Sequence, residues 1–266
     1  MKFFGIFYRA AFLVLILCNT AQAHFGMVIP DSSVVMGLRE APLALTLSFS
    51  HPMAMEGLSL EKPKAFKMFF NGSLVRGHED VISQMLRPAK VLEQEAWSVN
   101  CPLTAMRPGI YSFFMETQPY WEKTEERFII HLVKTSVGAF GAEKGWDEPL
   151  GLKTEIVPLT RPFGNYAGNL FQGLVLLDGR PVPGAMVEVE YYNRDLEREA
   201  PNDYLITQVV KADSQGVFSY AAPFAGWWGF AALHILPEKL EYCGNTGEVE
   251  LGAVIWVEFS EPVKRK

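Results

Sequence analysis

Five histidines stand in the 266-residue chain, His24, His51, His78, His131 and His234, and three of them have contexts that suit metal chemistry. His24 follows directly on Ala21-Gln22-Ala23, which closes a segment that begins with Lys2 and Arg9 and continues through the apolar run "AAFLVLILC". A charged start, an apolar centre and a small-residue end are the three regions of a secretory signal. Cleavage after Ala23 then makes His24 the first residue of an exported chain. An N-terminal His offers two nitrogens at once, its α-amine and its imidazole Nδ1, and a second imidazole completes a three-nitrogen histidine brace. Nitrogen sites of this kind suit Cu(II), Ni(II), Co(II) and Zn(II).

The second imidazole must come from an element that the fold lays beside the first strand. His51 closes the alternating stretch "LALTLSFSH" and precedes Pro52, so the chain turns there and the ring sits at a strand end. His131 lies inside the apolar strand "ERFIIHLVKTSV". His24, His51 and His131 are therefore the expected metal ligands. His78, in the charged stretch "RGHED", reads as a solvated loop residue, and His234, in "AALHIL", as structural. Met27, Met53 and Met55 lie near the candidates, where thioethers would favour Cu(I), but methionines at such positions ordinarily fill the core. Tyr120-Trp121-Glu122 is expected to line the site as an outer shell.

Composition narrows the partners. Without Lys2 and Arg9 the chain keeps 22 basic against 30 acidic residues, a net charge of −8, which disfavours nucleic acid. Hydrophobic residues make up 49% of the chain, enough for a substantial core. No second apolar run is long enough to span a bilayer. Cys18 leaves with the leader, and Cys101 and Cys243 remain as an even pair that is either a disulfide or two buried thiols.

The body reads as all-β. "AFKMFFNGSLV" is two short runs about an Asn71-Gly72 turn, "RPGIYSFFMET" starts a strand after Pro-Gly, and only "EDVISQMLRPAKVLEQEAW" leaves room for a short helix. The expectation is two β-sandwich domains, 24–158 carrying the metal site and 159–266 following it. In the second, "LFQGLVLLDGRPVPGAMVEVEYYN" and "TQVVKADSQGVFSYAAP" each read as a hairpin, and together they resemble the transthyretin-like, carboxypeptidase-regulatory (Ig-like) sandwich. Arg161, in "TRPFGNYAGN", is expected to clamp the two domains together.

A wider resemblance runs from His24 to about Val257. The ordered set "AHFGMVIP", "LSFSHPM", "PYWEK", "FIIHLVK", "GWDEPLGLKTEIVPLTRPFGNYAGN" and "GWWGFAAL" resembles the NikK-type periplasmic components of nickel and cobalt energy-coupling-factor uptake systems. That resemblance implies a periplasmic metal-binding protein, not an enzyme, which helps to pass Ni(II) or Co(II) to inner-membrane transporter components. Two other readings share the histidine pattern: a CopC-like Cu(II) carrier and a histidine-brace copper monooxygenase. A third, carbohydrate binding, rests on Trp227-Trp228 as a stacking platform for a sugar ring.

Overall fold

The computed structural model describes residues 24–37, 42–75, 79–102 and 106–264. The leader, Met1 to Ala23, and His78 lie outside the described residues. In chain order the described strands are β1 (Phe25–Pro30), β2 (Val34–Val35), β3 (Leu43–His51), β4 (Glu56–Leu58), β5 (Ala65–Phe70), β6 (Ser73–Leu74), β7 (Arg87–Val91), β8 (Gln94–Cys101), β9 (Gly109–Glu116) and β10 (Tyr120–Glu122). They continue as β11 (Arg127–Ala139), β12 (Thr154–Pro158), β13 (Asn165–Tyr166), β14 (Leu170–Leu177), β15 (Arg180–Pro181), β16 (Met186–Tyr191), β17 (Gln208–Lys211), β18 (Val217–Ala221), β19 (Gly226–Tyr242) and β20 (Asn245–Ser260). Among the described residues one short α-helix, α1 (Glu79–Gln84), falls where the sequence leaves room for it, and a single 3₁₀ turn spans Asp203–Leu205. Thus the all-β class holds.

The described strands form three sheets. An 11-stranded central sheet runs β17-β16-β19-β20-β11-β9-β5-β6, with β2 and β10 also on β11 and β13 also on β20; a five-stranded sheet runs β1-β3-β8-β7 with β4 on β3, and a four-stranded sheet runs β12-β14-β15 with β18 on β14. One core, built on Phe25, Leu47, Phe113, Val133 and Trp256, is shared between the five-stranded sheet and the central one. A second core, built on Ile156, Phe171, Val187, Phe230 and Ile255, is shared between the four-stranded sheet and the central one. Along β20, Val254 and Trp256 belong to the first core while Ala253, Ile255 and Val257 belong to the second, so alternate residues face opposite sides of one sheet. The first core is drawn mostly from residues before 158, with Trp227, Ala231, Val254 and Trp256 from beyond it, and the second mostly from residues after 158, with Ile156 from before it. The central sheet, however, runs straight through residue 158, because β11 pairs in parallel with β20 over nine residues, from Arg127↔Glu248 to Thr135↔Trp256.

Local turn chemistry explains the hairpins. Asn71 and Gly72 have φ of 47° and 75°, and Asp178 and Gly179 have φ of 50° and 70°, the left-handed pair that a two-residue turn between twisted strands requires. Both expected hairpins of the second half are corrected: in "LFQGLVLLDGRPVPGAMVEVEYYN" β14 pairs with β12, β15 and β18 whereas β16 joins the central sheet against β17 and β19, and "TQVVKADSQGVFSYAAP" divides between sheets in the same way. β17 pairs with β16 in the central sheet and β18 with β14 in the four-stranded sheet, so the Asp213 turn carries the chain from one layer of a sandwich to the other. Asp213 Oδ1 accepts the N–H groups of Gln215 and Val217 and holds that corner. Cys101 and Cys243 are free thiols, one at the end of β8 and one at the exposed β19–β20 turn.

A buried ion pair fastens the loop after β11. Lys134 Nζ lies 3.0 Å from Glu155 Oε2, and the same carboxylate accepts the N–H groups of Leu150 and Gly151. Replacing Lys134 by Met alone strands a buried carboxylate and is expected to cost about 3–5 kcal/mol in urea unfolding. Adding Glu155→Gln to that variant should recover part of the loss, since no buried charge is then left uncompensated although one of the Leu150 and Gly151 N–H groups loses its acceptor.

Candidate metal site

His24 and His51 are neighbours because of strand register. β1 and β3 are antiparallel with Phe25 opposite Ser50, so one step further sets His24 opposite His51. Their ring centroids are 4.6 Å apart, tilted by 55°. Phe49 and Tyr120 close the same end of the sandwich, with ring centroids 5.8 Å and 5.6 Å from His24. The turn after His51 is itself anchored: Glu190 accepts the Met53 N–H, Asn193 N–H donates to the Pro52 carbonyl, and Asn193 Nδ2 donates to the Met53 carbonyl. Glu190 also pairs with the Thr207 hydroxyl.

Glu122 faces His24 from β10. Its Oε2 lies 3.0 Å from His24 Nε2, while its Oε1 takes the N–H and the hydroxyl of Thr124 at 3.0 Å and 2.5 Å. Those Thr124 bonds and the contact with His24 hold the carboxyl below its usual range against the desolvation that acts the other way. Burial, together with the neighbouring His51, lowers His24 to about 4 despite the opposing pull of Glu122. At neutral pH the imidazole is therefore neutral and its Nε2–H donates to Glu122. A neutral imidazole with its proton on Nε2 carries its lone pair on Nδ1.

His131 comes to the same region but is differently engaged. It is fully buried, its ring centroid is 5.7 Å from Phe49, and its Nδ1 accepts the Gly26 N–H at 3.0 Å. Trp256 Nε1 donates to the Gly26 carbonyl at 2.9 Å, so both backbone polar groups of Gly26 are satisfied by side chains of the central sheet. The backbone of His131 is fixed in turn by Thr117, whose hydroxyl accepts its N–H and whose own N–H donates to its carbonyl. Its Nε2 has no partner and lies against Gly252, where a Cβ would come within 2.8 Å of it. Desolvation holds this imidazole at about 3, so it too is neutral, and its single lone pair is already used by Gly26.

The sequence-predicted residues thus divide. His24 and His51 meet ring to ring, whereas His131 packs edge-on against Phe49 and its Nδ1 is the acceptor that seats the first strand. Glu122, expected only as part of an aromatic lining, is the polar partner of His24. No three His, Cys, Asp or Glu side chains among the described residues form a ready-made metal cluster. A metal bound by His24 and His51 would need a third donor from outside these side chains. Met27 and Met53 are buried, with the Met27 sulfur accepting from Ser50 Oγ.

Two other expectations are corrected. Trp227 and Trp228 are 9% and 1% exposed, buried in the two cores on opposite faces of β19, and cannot stack on a sugar. Arg161 bonds the carbonyls of Phe163 and Gly164 within its own turn rather than clamping two domains. His234 is half-buried in β19.

Among solved structures, a chimeric titin Z1Z2-Z1Z2 tandem is 11% identical, with 86% of this chain and 98% of that chain covered and a TM-score of 0.21. Native alpha-2-macroglobulin from Escherichia coli, spanning domains MG0-NIE-MG1, is 7% identical, with 87% and 72% covered and a TM-score of 0.23. Titin Ig tandem domains A164-A165 are 11% identical, with 90% and 100% covered and a TM-score of 0.18. No curated protein matches. Residues 21–236 match the family described as domain of unknown function DUF4198, a span that includes His24, His51, Glu122 and His131. The chain belongs to the DUF4198 family.

Proposed function

We propose that the protein is an exported transition-metal-binding protein of the periplasm that carries Ni(II) or Co(II) towards an inner-membrane transporter. The observation that carries this reading is the His24-His51 pair, with ring centroids 4.6 Å apart, in which His24 follows a signal-type Ala-x-Ala and its Nε2 is engaged by Glu122. His51 and the chain terminus complete a brace, and His131 holds the strand that presents it. The nickel or cobalt preference rests on the NikK-type resemblance. The ordinary affinity order of nitrogen ligands places Cu(II) higher, so a CopC-like copper carrier is the competing reading. The buried His51 beside a half-buried His24 favours a carrier over a copper monooxygenase, which needs an open metal face towards a flat substrate.

The test is the chain terminus. A variant with one glycine placed before His24 keeps every side chain but removes the amine from its chelate position. Calorimetric titration with Ni(II) should show most of the affinity lost in that variant. Equal binding by the two forms would overturn the brace. Metal content of untagged protein taken from the native periplasm decides between nickel, cobalt and copper.

A further inference from the structure

We propose that Glu122 is a positioning residue that holds His24 in the Nε2–H form and so turns Nδ1 towards the metal. The inference rests on the metal-binding reading above and adds the residue that prepares its first ligand. Chelation by an N-terminal His uses Nδ1, because only that nitrogen closes a small ring with the α-amine of the same residue. Nδ1 is a ligand only when it carries no proton, and a neutral imidazole must then keep its proton on Nε2.

Glu122 meets that requirement through three contacts. Oε2 accepts from His24 Nε2 at 3.0 Å, and Oε1 is already held by two Thr124 donors, so the carboxylate cannot easily rotate away. It is buried, with 9% of its surface exposed, and water competes poorly for it. Its place depends on β10, which pairs with the start of β11 through Tyr120↔Ile129 and Glu122↔Arg127. The hairpin that carries His131 to Gly26 therefore also carries Glu122 to His24. A carboxylate behind a ligating imidazole raises the basicity of the ligand and fixes its ring, and losing such a partner typically weakens metal binding 10- to 100-fold.

The experiment uses ¹⁵N-labelled protein whose first residue has been verified as His24, with Zn(II) as a diamagnetic probe. Long-range ¹H–¹⁵N spectra of the metal-free protein at pH 7 should show His24 with a protonated, hydrogen-bonded Nε2 and a bare Nδ1. On adding Zn(II), the Nδ1 resonance should move while Nε2 keeps its proton. Glu122→Ala should lose the hydrogen-bonded Nε2–H signature and bind Zn(II) about 10- to 100-fold more weakly. Thr124→Ala, which leaves both His24 and Glu122 in place but removes one donor to Oε1, should weaken binding by a smaller factor and guards against a folding defect in the first variant. Movement of Nε2 rather than Nδ1 on Zn(II) binding would overturn the proposal, as would a Glu122→Ala protein with unchanged spectra and affinity. If the wild-type protein shows no response to Zn(II), Ni(II) or Co(II), the metal-binding reading itself falls, and the role given to Glu122 falls with it.

Discussion

Alanine in place of His51 should abolish tight metal binding at a small cost in stability, and alanine in place of His131 should cost mainly stability and only part of the metal affinity. His51 contributes a ring beside His24, at the end of a strand whose following turn is held independently by Glu190 and Asn193. Its loss removes a donor, and the affinity should fall by more than the roughly 10- to 100-fold that an outer-shell partner is worth. His131 sits in the core with its Nδ1 on the Gly26 N–H. Truncating it opens a cavity and leaves a buried N–H unpaired, at an expected cost of about 2–4 kcal/mol. Part of the metal affinity goes too, because β1 is no longer pinned. His131→Asn, which can offer an oxygen in place of Nδ1, should keep more of that affinity than His131→Ala. Paired urea unfolding and Ni(II) calorimetry on the three variants separate the roles. Equal stability losses at positions 51 and 131 would contradict the division.

Stability of the metal-free protein should be greatest between about pH 4.5 and 6.5 and decline on both sides. His24 and His131 titrate near 4 and 3 in the folded chain but near 6.5 when unfolded. Their folded values are depressed, so their contribution is complete above 6.5 and is lost as pH falls towards 3. Glu188 and Glu190 have the opposite sign. Burial raises them to about 7 and about 8, so their contribution is complete below about 4.5 and is lost as pH rises through those values. Between 4.5 and 6.5 the two pairs oppose one another and the profile is nearly flat. Each unbalanced proton contributes a slope of about 1.4 kcal/mol per pH unit. Glu190→Gln should remove one proton from the alkaline limb, and His131→Asn should remove one from the acid limb. Stability measured by urea midpoints from pH 3.5 to 8.5 checks both limbs, and a steady rise from acid to alkaline pH would refute the assignment.

Sequence patterns revealed what is local. Alternation from Leu43 to Phe49 marked β3, and Asn71-Gly72 and Asp178-Gly179 marked two reversals whose positive φ the structure bears out. A turn signal says that the chain reverses but not which strand it then meets. The Asp213 turn reads as a hairpin, yet β17 and β18 part into different sheets, since each buries its apolar side against a different partner. The same limit governed the site. A cleavage-type tripeptide and a strand end singled out His24 and His51, and both are local features. That Glu122 would meet His24, and that Gly26 would take the lone pair of His131, depends on the register of β10 with β11 and on the seating of β1 over the central sheet. Neither has a signature within a few residues of the atoms concerned.

The parallel pairing of β11 with β20 has a kinetic meaning. Thr135 and Trp256, joined by a hydrogen bond between these strands, are 121 residues apart in sequence. Loop closure on that scale must precede the contacts that reward it, so the central sheet is expected to form slowly compared with the local hairpins. Until β20 arrives, one long edge of β11 stays unpaired next to an apolar core, a state open to association with other chains. A fragment ending at Pro158 would remain in that state permanently. The N-terminal sandwich, with its paired histidines, thus depends for its folding on a strand that lies more than a hundred residues beyond β11.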